Sequence, residues 1–338
     1  MTTLTKDRLN DLLKNFIGKK IAVVGDLMID RYYWGTVHRV SPEAPVPIVE
    51  VDSESVRLGG AANVASNIQA LGGEAIMIGL IGNDHPGEQF TALLKERGFQ
   101  TGCVFTDPSR PTTIKTRVIA HSQHVVRIDN ESKLDASQQL RSKITEAVRR
   151  NIRTLDGIIL EDYNKGVVTK EVIRDVIAAA HECGVPVAVD PKFNNFFEYK
   201  NVTVFKPNRR EAEEVLGSRL RTIDDVVRAG KKLLETLSAE NVLLTRGEEG
   251  MSLFEGDGSI THIPTAATNV QDVSGAGDTV IATLTMALAS GATIREACVL
   301  ANCAGGVVVG SVGIVPVQPE ELVAATLQFA DRQHTARL

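Results

Sequence analysis

The sequence predicts an α/β fold, a mostly parallel sheet layered between helices with a small β-strand lid beside it. Three observations predict it. Short apolar runs recur along the chain, and helical patterns separate many of them. Two further segments break that rhythm with alternating patterns that belong to strands of another sheet.

Taken in order, residues 21–24 read as the first buried strand, running directly into Gly25-Asp26-Leu27. Residues 31–52 form the first irregular segment. They hold Tyr32, Tyr33 and Trp34, the proline-rich Ser41-Pro42-Glu43-Ala44-Pro45-Val46-Pro47, and a strand-like run over 48–51. A helix over 61–71, a strand over 75–81 and a helix over 89–95 restore the α/β rhythm. The second irregular segment, 112–129, carries alternating runs over 113–119 and 124–128. Strands then fall at 157–160, 185–189, 202–205 and 242–244, with helices at 170–183 and 223–237 between them. The last third is helical over 278–289, 294–309 and 319–329. No repeat or long linker interrupts this order, so residues 1–338 read as one domain whose lid is 31–52 plus 112–129.

Composition narrows the function classes. Hydrophobic residues at 43% and charged residues at 23% are those of an ordinary globular protein. A net charge of −5 leaves no footprint for nucleic acid. The apolar run over 280–289 is too short to span a bilayer, and the N-terminus lacks the apolar core of a signal peptide. Cys103, Cys183, Cys298 and Cys303 form no C-x-x-C pair, so reduced thiols and a cytoplasmic location are expected.

The richest stretch is Asp272-Val273-Ser274-Gly275-Ala276-Gly277-Asp278-Thr279. Its glycines permit a tight turn, and the helix that follows brings unsatisfied N–H groups and a positive dipole end. That is a seat for phosphate or a developing oxyanion. A carboxylate there would repel the same anion, so Asp278 is either a helix cap or a base that deprotonates an attacking hydroxyl. The stretch alone leaves these two level. No G-x-x-x-x-G-K-[ST] string occurs, and the third glycine of a dinucleotide fingerprint is replaced by Val280.

Other strand-end turns carry chemistry of the same kind. Gly59-Gly60-Ala61-Ala62-Asn63 opens a helix, either admitting a polyol to Asn63 or simply packing tightly. Asp26 and Asp30 follow the first strand, where carboxylates suit sugar hydroxyls or cap turns. Asn208 and Glu211 have capping-box spacing; alternatively they face nucleotide, with Glu211 holding Mg²⁺ through water. Asp162-Tyr163-Asn164-Lys165-Gly166, Asp190-Pro191-Lys192 and Thr245-Arg246-Gly247 also follow strands. On a strand His121 and His124 would face opposite sides, and no carboxylate or thiol pattern accompanies them, which disfavours a metal site there. A parallel sheet gathers such turns along one edge, which favours catalysis over capping at Asp278.

These residues resemble the ribokinase-like, or PfkB, family of ATP-dependent carbohydrate kinases over nearly the whole chain. Gly59-Gly60-Ala61-Ala62-Asn63 is similar to the family's N-terminal glycine signature, and residues 272–279 to its C-terminal one. The resemblance implies a ribokinase-like three-layer α/β/α fold. It implies Asp278 as base and Gly275, Ala276 and Gly277 as the oxyanion seat. Asn208, Glu211, Thr245 and Gly247 would line the ATP and Mg²⁺ region, and Asp30, Gly60 and Asn63 the sugar. Lys192, with Lys115, Arg117 or Arg127 from the lid, would neutralise a sugar phosphate. Monovalent-cation dependence stays open.

A narrower match resembles the D-glycero-β-D-manno-heptose-7-phosphate kinases of lipopolysaccharide precursor synthesis. It lies in Asp26-Leu27-Met28-Ile29-Asp30-Arg31-Tyr32, the 41–47 stretch and Asp190-Pro191-Lys192. It implies phosphorylation of the anomeric hydroxyl, and the lack of an H-x-G-H motif implies the stand-alone form. A kinase for another sugar phosphate or nucleoside, and a sugar-sensing protein without turnover, are the competing expectations. Exposed lid strands imply a homodimer, with no nucleic acid or membrane as partner.

Overall fold

The computed structural model describes residues 4–121 and 123–335. Its first half runs α1 (Lys6–Phe16), β1 (Lys20–Gly25), β2 (Leu27–Val40), β3 (Pro47–Gly60), α2 (Ala61–Ala70), β4 (Glu74–Gly82), α3 (His85–Glu96), β5 (Val104–Asp107), β6 (Thr113–Ala120), β7 (Gln123–Asn130) and α4 (Gln138–Asn151). The second half continues with β8 (Gly157–Glu161), α5 (Lys170–Cys183), β9 (Val187–Asp190), β10 (Val204–Phe205), α6 (Arg209–Leu216), α7 (Ile223–Leu237), β11 (Asn241–Thr245), β12 (Met251–Glu255), β13 (Ile260–Ile263), α8 (Ala276–Ala289), α9 (Ile294–Val308) and α10 (Pro319–Thr335).

The large sheet has the order β13-β12-β11-β10-β9-β8-β1-β4-β5. From β11 to β5 every neighbouring pair is parallel; β12 and β13 extend it antiparallel. Strand alternation divides its apolar residues between two cores. Ile21 and Val23 of β1 pack with α1, α2, α8, α9 and α10, whereas Ala22 and Val24 pack with α4, α5 and α7. This is the three-layer arrangement expected.

Helix ends obey local chemistry. Thr169 caps α5 and Gly184 ends it in the left-handed region, while Thr222 and Asp225 form a capping box on α7. Both helices coincide with the predicted 170–183 and 223–237. α1, α4, β5, β12 and β13 have no counterpart among the elements expected from sequence. Among the described residues no helix is long and apolar enough to cross a membrane.

The lid is a second sheet of order β3-β2-β6-β7. Two antiparallel hairpins, β2–β3 and β6–β7, join through a parallel β2–β6 pair. Its first half is longer than the predicted 31–52. The bases of β2 and β3 bury Leu27, Met28, Ile29 and Leu58, so their composition is that of core strands. Only Asp26 separates β1 from β2, and its carboxylate accepts the backbone N–H groups of Tyr163, Lys165 and Val167 at 2.7, 3.1 and 3.2 Å. Asp26 therefore pins the loop after β8 instead of facing a ligand.

Candidate active site

The parallel strands deliver their C-terminal residues to one edge. Glu161 ends β8 and Asp190 ends β9; the two are register partners, so their side chains emerge on the same side. Lys206 follows β10 and reaches Asp190 Oδ2 with its Nζ at 2.7 Å, both groups buried.

Above this edge, Gly275 takes φ +78° and starts α8 as its N-cap. Glycine is required twice over here. A side chain would be strained at that φ, and its Cβ would lie 2.9 Å from Asn63 Nδ2. The N–H of Ala276 is spent on Val273 O at 3.3 Å, while those of Gly275, Gly277 and Asp278 have no acceptor among the described residues. Of the three N–H groups expected at the seat, Gly275 and Gly277 are thus free and Ala276 is engaged, while the Asp278 N–H stands free beside them. At Gly277 a Cβ would sit 3.4 Å from Asp190 Oδ2 and 3.6 Å from Lys206 Nζ. The free end of α8 accordingly faces that ion pair.

Asp278 is the third residue of α8 and does not cap it. Its Oδ2 accepts from Asn63 Nδ2 at 2.7 Å and its Oδ1 from Tyr163 Oη at 2.8 Å. Asn63 in turn is braced by Asn67, whose Nδ2 donates to Asn63 O at 3.0 Å and whose Oδ1 accepts from Thr279 Oγ1 at 3.1 Å. Burial raises the Asp278 pKa to about 6, and the neighbouring Asp190 adds to the rise; Asn63, Tyr163 and Lys206 oppose it. A carboxylate poised there can accept a proton near neutral pH.

Glu161, Asp190 and Asp278 offer carboxylate oxygens within 4.8 Å of one another, all buried. Glu161 Oε2 has no hydrogen-bond partner among the described residues. Burial, then Asp190 and Asp278, push the Glu161 carboxyl well above the usual carboxylate range. An orphaned oxygen among three carboxylates fits a hard divalent cation.

The expected nucleotide residues lie alongside. Asn208 and Glu211 form a full capping box on α6 at 2.9 Å in both directions. The other Glu211 oxygen accepts from Lys192 Nζ, and that ammonium stands 5.2 Å from the centroid of the Tyr163 ring. Thr245 N–H donates to Pro207 O at 3.0 Å, tying β11 to this turn. Gly247, at φ +62°, has open space where a side chain would be.

The expected sugar and phosphate residues scatter differently. Gly60 takes φ +57° and caps α2 through its backbone. Asp30 does not follow the first strand as a free loop residue. It is buried within β2 and paired with Arg117. Lys115 is held by Asp129 and Glu131, both at 3.4 Å, and Arg127 by Asp129 at 2.9 Å. Lys192 pairs with Glu211, so it does not join the lid cations. The sequence pattern assigns no role to Glu161 or Lys206, and it does not single out the Asp190 carboxylate or the Tyr163 hydroxyl within their strand-end turns. A charged residue closing a buried apolar strand was the available signal for the first three.

The match to the model of the pfkB family carbohydrate kinases covers residues 18–321. A Pelobacter propionicus protein named bifunctional protein HldE is 44% identical over 303 residues, 90% of this chain and 62% of that one. Its Helicobacter pylori namesake is 42% identical over 304 residues, 90% of this chain and 65% of that one. The chain thus spans less than two thirds of these curated relatives. Among solved structures, Escherichia coli phosphofructokinase-2 in complex with potassium superposes with a TM-score of 0.75 at 20% identity, covering 93% of this chain and 99% of that one. Arabidopsis thaliana ribokinase complexed with ribose and ATP gives 0.72 at 19%, covering 92% and 99%. Those likenesses establish the ribokinase-like fold, and together with the signature geometry at Gly275 and Asp278 the family match shows that the chain belongs to the pfkB family of carbohydrate kinases.

Proposed function

We propose that this chain transfers the γ-phosphoryl group of ATP to the anomeric hydroxyl of D-glycero-β-D-manno-heptose 7-phosphate, yielding the 1,7-bisphosphate. The observation that carries the chemistry is the buried Asp278 carboxylate, clamped by Asn63 and Tyr163 beside the free N–H groups of α8. Sugar specificity rests on the heptose-kinase-like motifs at 26–32, 41–47 and 190–192 and on the 44% relatives named HldE.

In this mechanism Asp278 accepts the hydroxyl proton as the sugar oxygen bonds to the γ-phosphorus. The bond from that phosphorus to the β,γ-bridging oxygen breaks, and ADP departs with the electron pair. The Gly275, Gly277 and Asp278 N–H groups and Lys206 lie where the charge of the transferring group develops. Asn63 and Gly60 orient the sugar, and Thr245, Gly247 and the Asn208 turn line the nucleotide. Asp190 and Glu161 would hold a magnesium ion, with Glu211 reaching it through water; that ion supplies neutralisation of phosphate charge. The lid closes over the acceptor and keeps water from replacing it. We place the enzyme in the cytoplasm, as a homodimer paired through its lid edges, where Val51, Val126 and Ile128 are exposed.

An acceptor panel with coupled ADP detection, run with and without Mg²⁺, tests the reading. Fastest Mg²⁺-dependent turnover of heptose 7-phosphate is expected. Faster turnover of fructose or tagatose phosphates removes the heptose assignment, and saturable binding without ADP release from any acceptor removes the kinase itself.

A further inference from the structure

We propose that Arg57 and Arg97 form an anion subsite beside Asn63 that takes the phosphate monoester at the far end of the acceptor, an inference that rests on reading the chain as a sugar-phosphate kinase. The cations expected for that task are already neutralised. Among the lid arginines and lysines, Arg31 pairs with Glu54, Arg39 with Glu50, Lys115 with Asp129 and Glu131, Arg117 with Asp30 and Arg127 with Asp129. Arg57 alone among them has no carboxylate partner among the described residues.

Arg57 is nevertheless held in place. Its Nη1 donates to Ile314 O at 2.6 Å, and its guanidinium carbon stands 5.2 Å from the centroid of the Tyr32 ring. It lines a cavity of about 200 Å³ with Arg97, Asn63, Ser66 and the 314–316 loop, and no Asp or Glu borders that cavity. Arg97, just past α3, likewise has no carboxylate partner among the described residues. The volume is several times the ~30 Å³ share of a water molecule, enough for a phosphate group with solvent.

Asn63 links this cavity to the chemistry. Its amide donates to Asp278 Oδ2 while the same residue borders the cavity. An acceptor with its reacting hydroxyl at Asp278 passes Asn63, and its distal phosphate enters between the two guanidinium groups. Planar N–H forks suit phosphate oxygens, and two such groups without a competing carboxylate form an anion seat.

The test compares KM for heptose 7-phosphate and for the unphosphorylated heptose in wild type, Arg57→Lys, Arg57→Ala and Arg97→Ala. Expected is a rise of about tenfold or more in KM for the phosphorylated acceptor, with KM for ATP unmoved and the preference for the phosphorylated sugar reduced. Competitive inhibition by inorganic phosphate should weaken in parallel. Arg97 is exposed, so Arg97→Ala reports even where Arg57→Ala fails to fold. An unchanged preference in both Arg57→Lys and Arg97→Ala overturns the subsite, as does equal loss on both acceptors. If wild type turns over no phosphorylated sugar, the functional reading fails first; if it does and the variants keep its preference, the subsite alone fails.

Discussion

Asp278→Asn keeps the shape of the side chain and removes its charge, so catalysis and stability should move in opposite directions. Burial lifts the Asp278 pKa from 3.8 to about 6. At about 1.36 kcal/mol per unit, the ionised carboxylate costs the fold roughly 3 kcal/mol at pH 8. The amide makes poorer use of the Asn63 and Tyr163 donors, a loss of about 1 kcal/mol, which leaves a net gain of about 2 kcal/mol. A raised folded pKa contributes stability below the unfolded value of 3.8, and that contribution is lost as pH rises through about 6. The advantage of the variant therefore develops between those values, is complete above them and is absent below pH 3.8. Urea unfolding at pH 8 and at acid pH measures it, and a coupled ADP assay on the same samples measures turnover. Loss of a general base predicts a fall of about 100-fold or more in kcat. Turnover within a few-fold of wild type in a folded variant would refute the base assignment. A variant less stable than wild type at pH 8 would refute the electrostatic reasoning.

Tyr163→Phe removes a donor to the Asp278 carboxylate, so the acid limb of the pH–rate profile, near pH 6 in wild type, should move upward by roughly one unit. An unmoved limb would mean Tyr163 does not act on the base. Lys206→Met leaves Asp190 buried without its partner and should destabilise by about 3–5 kcal/mol, with Asp190→Asn in the same chain restoring part of the loss. Chemical unfolding of the single and double variants checks that coupling. Ile128→Lys on the exposed edge strand β7 should shift sedimentation toward monomer, and an unchanged sedimentation profile would place the dimer contact elsewhere.

Periodicity made most of the fold legible. α5 and α7 are legible to the residue because strong amphipathic spacing coincides with good caps at Thr169 and Thr222. Strands β12 and β13 are not legible because an antiparallel edge pair lacks the intervening helix that marks the parallel strands. The glycine turn and Asp278 were legible because their backbone requirement is local. Pairing across the chain was not. Asp30 with Arg117, Lys192 with Glu211 and Lys206 with Asp190 join residues whose separation carries no periodic signal. For the same reason the sequence does not mark Arg57 as the lid arginine that lacks an acid partner among the described residues.

The central claim is attachment of phosphate to an anomeric oxygen. Phosphorus NMR of the product formed from ATP, Mg²⁺ and heptose 7-phosphate tests it most directly. The account predicts ADP together with a new phosphate resonance coupled to the anomeric proton, while the original 7-phosphate resonance persists. A new phosphate coupled to any other carbon-bound proton, or ADP formed without a sugar bisphosphate, would contradict it.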